Sequence, residues 1–108
     1  MIMEKVKVSD TGIPFQVIEN IQRLARQYQV KKVILFGSRA RGDSRKKSDI
    51  DLAVEGGNFA RFCLDVEEET ATLLQFDFVN LDREPSQDLL DEIQLDGRIL
   101  YESEDLSV

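Results

Sequence analysis

Residues 33–36, Val-Ile-Leu-Phe, form an unbroken apolar run that begins after Lys31-Lys32 and stops at Gly37. Four strand-forming residues with no polar alternate predict a strand buried on both faces. Such a strand belongs inside a sheet that is covered above and below, and the neighbouring sequence supplies the cover. Between Pro14 and Val30 the residues Val17, Ile18, Ile21, Leu24, Ala25 and Tyr28 recur at spacings of three and four, the period of an amphipathic helix. Gly12 and Pro14 mark its start. After the strand, Ser38 to Ser48 offers almost nothing to bury and holds five basic residues, Arg39, Arg41, Arg45, Lys46 and Lys47. A short helical turn followed by a solvated loop is the expectation there.

Asp49 to Glu55 alternates strictly, with Ile50, Leu52 and Val54 on one face and Asp49, Asp51, Ala53 and Glu55 on the other. That period of two predicts a half-buried strand, ended by Gly56-Gly57. Asn58 is a helix cap, and Phe59, Phe62, Cys63, Val66, Thr70, Leu73 and Leu74 form one stripe, with Asp65 and Glu67 to Glu69 largely away from it. A third strand is predicted over Gln75 to Leu81 and a last helix over Ser86 to Asp96, closing at Gly97. Arg98 to Tyr101 reads as a short extended segment, and Glu102 to Val108 as an acidic tail. Helices and strands alternate without repeat or linker, so residues 1–108 read as a single α/β (α+β) domain, a small mixed sheet flanked by helices.

Composition narrows the chemistry. The chain contains no histidine and one cysteine, Cys63, which excludes imidazole catalysis, an intramolecular disulfide and any Cys-cluster zinc site. What remains is chemistry run by carboxylates, hydroxyls, Lys or Arg with a hard cation such as magnesium. No apolar run approaches a membrane span and the N-terminus has no signal-peptide core, so a cytoplasmic address is expected. The net charge is −7. It is unevenly spread: Gly37 to Ser48 holds five basic residues against one acid, whereas Asp82 to Val108 holds nine acids against two bases.

Three features fall at strand ends, where a sheet can aim side chains at one point. Gly37-Ser38 closes an apolar strand and opens a helical turn, a plausible seat for a phosphate. Asp49-Ile50-Asp51 places two carboxylates about 6–7 Å apart on one face of a strand, costly unless a cation or donor compensates them. Asp77 is the only charge in Phe76-Asp77-Phe78-Val79 and calls for a partner, either an Arg or a shared metal. Arg39 and Arg41 are within reach of a polyphosphate in this reading, and Arg45 to Lys47 belong to the solvated loop or grip a partner.

Together these residues resemble a known family. Gly37-Ser38, ten intervening residues, then Asp49-Ile50-Asp51 is similar to the Gly-Ser-x10-Asp-x-Asp signature of the polymerase-beta-type nucleotidyltransferases. The fuller stretch Gly37-Ser38-Arg39-Ala40-Arg41-Gly42 through Ser48-Asp49-Ile50-Asp51-Leu52 resembles the minimal nucleotidyltransferase (MNT) branch. The resemblance implies that family's fold, with Gly37 and Ser38 holding a triphosphate and Asp49, Asp51 and Asp77 coordinating two magnesium ions. It further implies transfer of a nucleoside monophosphate, AMP from ATP, to a hydroxyl. Minimal members pair with HEPN-domain ribonuclease toxins and some modify a toxin tyrosine, so the resemblance implies an antitoxin in a heteromeric complex. Two alternatives stand beside this reading: an antitoxin that neutralises its partner by occlusion alone, and a polynucleotide-directed transferase using the basic loop. The acidic balance and the absence of Trp count against nucleic acid.

Overall fold

A computed structural model describes residues 12–41, 49–70 and 75–103. Helix α1, Phe15–Gln27, buries Val17, Ile18, Ile21, Leu24 and Ala25, the stripe that the spacing predicts. It ends where Gln29 enters the left-handed region at φ 61°, and Val30 N–H donates back to the Ala25 carbonyl at 2.9 Å. Gly57 seals this turn. Its φ is +71° and a Cβ there would lie 2.6 Å from the Tyr28 carbonyl oxygen and the Val30 nitrogen, so only glycine fits.

Strand β1, Lys32–Phe36, occupies the interior of a four-stranded sheet of order β3-β2-β1-β4. The other strands are β2, Ile50–Glu55, β3, Phe76–Asn80, and β4, Arg98–Glu102. β1 runs antiparallel to β2 and β4, and β2 runs parallel to β3. The mixed sheet of the sequence reading is therefore the observed one. Parallel strands need a crossover; here it contains α3, Phe59–Glu69. The one-turn helix α2, Ser38–Arg41, follows β1, and α4, Gln87–Asp96, precedes β4.

The two sheet faces are covered unequally. Val33, Leu35, Ile50, Leu52, Val54 and Phe76 face α1 and α3 in the main core, joined by Phe62, Val66 and Leu100. On the other face a smaller cluster forms from Phe36, Ala53 and Ile93, with Ile34, Val79, Leu81 and Leu89 packed against it. β1 is thus covered on both sides, as its apolar run demands. β2 departs from the half-buried expectation because Ala53 is fully enclosed beneath α4. A small residue permits that helix to sit close, and a pattern of two cannot report cover from a distant segment.

Two further differences concern α3. Asn58 caps it as predicted, its side-chain oxygen accepting from Arg61 N–H at 3.3 Å. The helix stops at Glu69, and Leu73 and Leu74 lie outside the described residues. Asp65, expected away from the apolar stripe, is only 8% exposed because the C-terminal turn of α1 lies over it and the Tyr28 hydroxyl donates to its carboxylate. Leu81 leaves the strand for a one-turn helix, Leu81–Arg83, which Asn80 caps through Asp82 N–H at 2.9 Å. Ser86 caps α4 by accepting from Leu89 N–H at 3.2 Å, and Gly97 closes it. Glu102 and Ser103 end the described chain, and the acidic tail beyond them and the loop carrying Arg45, Lys46 and Lys47 lie outside it.

Candidate active site

Register brings Asp51 and Asp77 together. Asp51 is paired with Phe36 across the antiparallel β1–β2 ladder and with Asp77 across the parallel β2–β3 ladder. Paired residues share a sheet face, so Asp51 and Asp77 both stand on the face that carries the Phe36–Ala53–Ile93 cluster. Asp49 immediately precedes β2 and is exposed. The opposite face of β3 is apolar: Phe76 stacks on Phe78 at 5.9 Å, and Phe78 meets Phe62 edge-on at 6.4 Å. That packing anchors the strand and leaves Asp77 turned away from the main core, exposed.

Gly37 stands just past the end of β1, beside Asp51. Its φ is +82°, and a Cβ at this position would collide with the Asp51 carboxylate, with Asp51 Cγ 3.2 Å away. Glycine is required both for the backbone and for the close approach. Ser38 then opens α2 and Arg41 closes it. Gly37, Asp51 and Asp77 therefore stand at one end of the sheet, Asp77 brought there by strand register. Arg39, which the sequence reading directs at a polyphosphate, is 1% exposed and is the largest fully buried side chain among the described residues. Burial depresses its pKa and the charge of Asp49 opposes that fall.

Electrostatics set the aspartates apart. Asp51 is raised from 3.8 to about 6, chiefly by burial, then by the charges of Asp77, Asp49 and Glu92, with a hydrogen bond to Asp77 adding to the effect. Glu92 is the residue that sequence reasoning missed. It precedes Ile93, whose side chain packs on Phe36 and Ala53, so α4 delivers a fourth carboxylate to the neighbourhood of Asp51. Only the docking of α4 on this face could reveal it. Sequence alone offered one acid among several on an acidic helix.

The fold family named by the sequence resemblance uses magnesium. The donors here are carboxylate oxygens, the chemistry that a hard cation selects, and their mutual repulsion at Asp51 is what a cation would relieve. Among the described residues no group of three or more His, Cys, Asp or Glu is placed to hold a metal ion. Magnesium at phosphate sites takes one or two carboxylates and completes its shell with phosphates and water, so the adjacent pair Asp51 and Asp77 suits that ion by the chemistry of its donors. A separate cleft of about 730 Å³, lined by Arg26, Lys31, Lys32, Glu55, Tyr101 and Glu102 among others, opens at the opposite end of the sheet. It contains none of these aspartates and mixes both charges.

With this geometry in place, comparison with known proteins is decisive. Residues 19–106 match the family described as Polymerase beta, Nucleotidyltransferase. The chain belongs to that family. A solved toxin-antitoxin structure with AMP-PNP aligns at 29% identity and TM-score 0.63, over 81% of this chain and 74% of that one. A complex of tri-AMPylated Shewanella oneidensis HEPN toxin with MNT antitoxin aligns at 26% identity and TM-score 0.57, over 82% of this chain and 71% of that one. Both likenesses bear out the polymerase-beta-like nucleotidyltransferase fold. A stretch of 34 residues, 32% of the chain, is 47% identical to the "Putative protein adenylyltransferase MJ1215" of Methanocaldococcus jannaschii and spans 40% of that protein's length. Among the described residues no helix is long and apolar enough to cross a membrane.

Proposed function

We propose that this chain is a magnesium-dependent nucleotidyltransferase that moves AMP from ATP to a hydroxyl of a partner protein, a tyrosine of a HEPN-type toxin, and so acts as an antitoxin. The observation that carries the reading is the convergence of Gly37, Asp51 and Asp77 at one sheet end, with Asp49 at the mouth of β2. Similarity to a chain of an AMPylated HEPN–MNT complex supports the substrate and the partner, and similarity to a complex holding AMP-PNP supports the adenine nucleotide.

In this reading the turn after β1 seats the triphosphate, with backbone N–H groups at the start of α2 and the close approach permitted by Gly37. The resemblance assigns Ser38 and Arg41 to the phosphates. Asp49, Asp51 and Asp77 would hold two magnesium ions, which neutralise charge on the phosphates and on the leaving pyrophosphate. The acceptor oxygen attacks the α-phosphorus, the new O–P bond forms, and the bond to the bridging oxygen of pyrophosphate breaks. Asp77, exposed at the sheet edge, accepts the hydroxyl proton.

Incubation with α-labelled ATP, magnesium and the co-purified partner tests the proposal. Label is expected on the partner and is expected to vanish in Asp49→Asn and Asp51→Asn. Equal labelling by those variants would overturn the catalytic assignment. Rescue from toxicity by the unlabelling double variant would instead select neutralisation by occlusion.

A further inference from the structure

The two edges of the sheet differ. At β4 the helix α1 reaches across, and Gln22 Nε2 donates to the Leu100 carbonyl at 2.8 Å. At β3 the backbone stands open. Ile50 N–H donates to the Gln75 carbonyl at 2.8 Å, and Ile50 is paired with Phe76 in the parallel ladder. Successive residues of a strand direct their backbone groups to opposite sides, so Gln75, Asp77 and Val79 bond inward to β2, whereas the N–H and C=O groups of Phe76 and Phe78 and the N–H of Asn80 point off the sheet. Among the described residues no other strand lies beside β3 and no hydrogen bond takes these groups. A row of unpaired donors and acceptors is a template for one more strand. The side chains are as unfinished as the backbone: Phe78 meets Phe62 and Val79 joins the smaller cluster, yet both are only half-buried.

We propose that this edge is the acceptor-binding subsite: an extended segment of the partner protein adds to β3 as a fifth strand and carries its hydroxyl residue opposite Asp77. The inference rests on the nucleotidyltransferase reading for the chemistry at that hydroxyl, and on the open edge alone for the docking. A strand added here runs about 4.8 Å from β3, and its residue paired with Asp77 shares the face on which Asp77 and Asp51 stand. Main-chain hydrogen bonds hold such a segment whatever its sequence, and the neighbouring side chains select it. Selection here is by charge. The same face receives α4, whose Leu89 packs with Val79 and Leu81 and which carries Asp88, Asp91, Glu92 and Asp96 with no base. The segment that fits is therefore extended, bears a hydroxyl residue and has Lys or Arg beside it.

Amide hydrogen exchange at single-residue resolution, on the full chain alone and with the co-purified partner, tests the docking. Alone, Asp77 and Val79 are expected to be protected while Phe78 and Asn80 exchange freely; with the partner bound, Phe78 and Asn80 should slow by at least about tenfold. Partner bound with those two amides unchanged would overturn the proposal. The transfer assay gives a second arm. Asn80→Pro deletes an outward N–H that the sheet does not use, and Asn80→Ser keeps both the N–H and a capping oxygen. With both variants shown to be folded by their thermal transitions, Asn80→Pro is expected to lower kcat/KM for the partner by roughly tenfold or more and Asn80→Ser to stay within about threefold of wild type. Equal transfer by the two would sink the subsite. The exchange arm uses the unaltered chain, so it decides however Asn80→Pro folds. If the edge amides slow but wild type transfers nothing, strand addition stands and the transferase reading fails; if label is transferred while they stay unchanged, the transferase reading stands and strand addition fails.

Discussion

At the scale of single residues, the site is a set of groups that suit catalysis better than they suit folding. Gly37 has a positive φ and no room for a Cβ beside Asp51. Gly37→Ala is expected to cost about 1–2 kcal/mol from the backbone alone and to push the carboxylate from its place. Urea unfolding should show the loss, and the stabilisation given by Mg-AMP-PNP should disappear; a Gly37→Ala protein that keeps it would disprove the close approach. Asp51 carries a pH signature. Its pKa is raised from 3.8 to about 6, mainly by burial, so between those values the folded chain holds a proton that the unfolded chain has released. Stability is therefore lost as pH rises through that window. Two pK units amount to about 3 kcal/mol in full, and solvent screening at a half-buried group leaves about 1 kcal/mol. Asp51→Asn is expected to be more stable than wild type by that amount at pH 7 in EDTA, equal to it at pH 3.5, and inactive. A destabilised Asp51→Asn at pH 7 would contradict the sign.

At the scale of elements, α1 and α3 are joined by a buried polar contact at Tyr28 and Asp65. The exposed neighbours contribute less: Arg61 lies 3.9 Å from Asp65 with its side chain 57% exposed. Tyr28→Phe leaves the Asp65 carboxylate without that donor, so a measurable loss of stability is expected. Arg61→Ala should cost less than Tyr28→Phe, because its ion pair is exposed to solvent. Chemical denaturation of the two variants checks the contrast, and equal losses would mean that solvent reaches Asp65. The predicted elements themselves were legible wherever the period was long. The stripe of α1, the apolar run of β1 and the caps Asn58 and Ser86 all stand where the residues place them. Asp65 and Ala53 were misread because the helical and strand periods describe one element alone, while their burial comes from Tyr28 on α1 and from α4.

At the scale of the whole molecule, cation, nucleotide and fold should behave as one linked system. Saturating magnesium with AMP-PNP is expected to stabilise the protein by about 2.7 kcal/mol at a hundredfold excess over Kd, a rise of roughly 10–20 °C in Tm for a domain of this size. EDTA should cancel it, and the Asp49→Asn, Asp51→Asn double variant should show none. A metal-independent shift would remove the cation from the site. The sequence by itself determined the alternation of helices and strands, the Gly-Ser turn and the Asp-Ile-Asp strand, because local period, turn chemistry and spacing are written in neighbouring residues. Tertiary structure alone decided that Asp77 stands beside Asp51, that Glu92 arrives from α4, and that Arg39 is buried. Those facts depend on strand register and helix docking, which couple residues far apart in the chain and are settled only when the two unequal cores pack on the sheet.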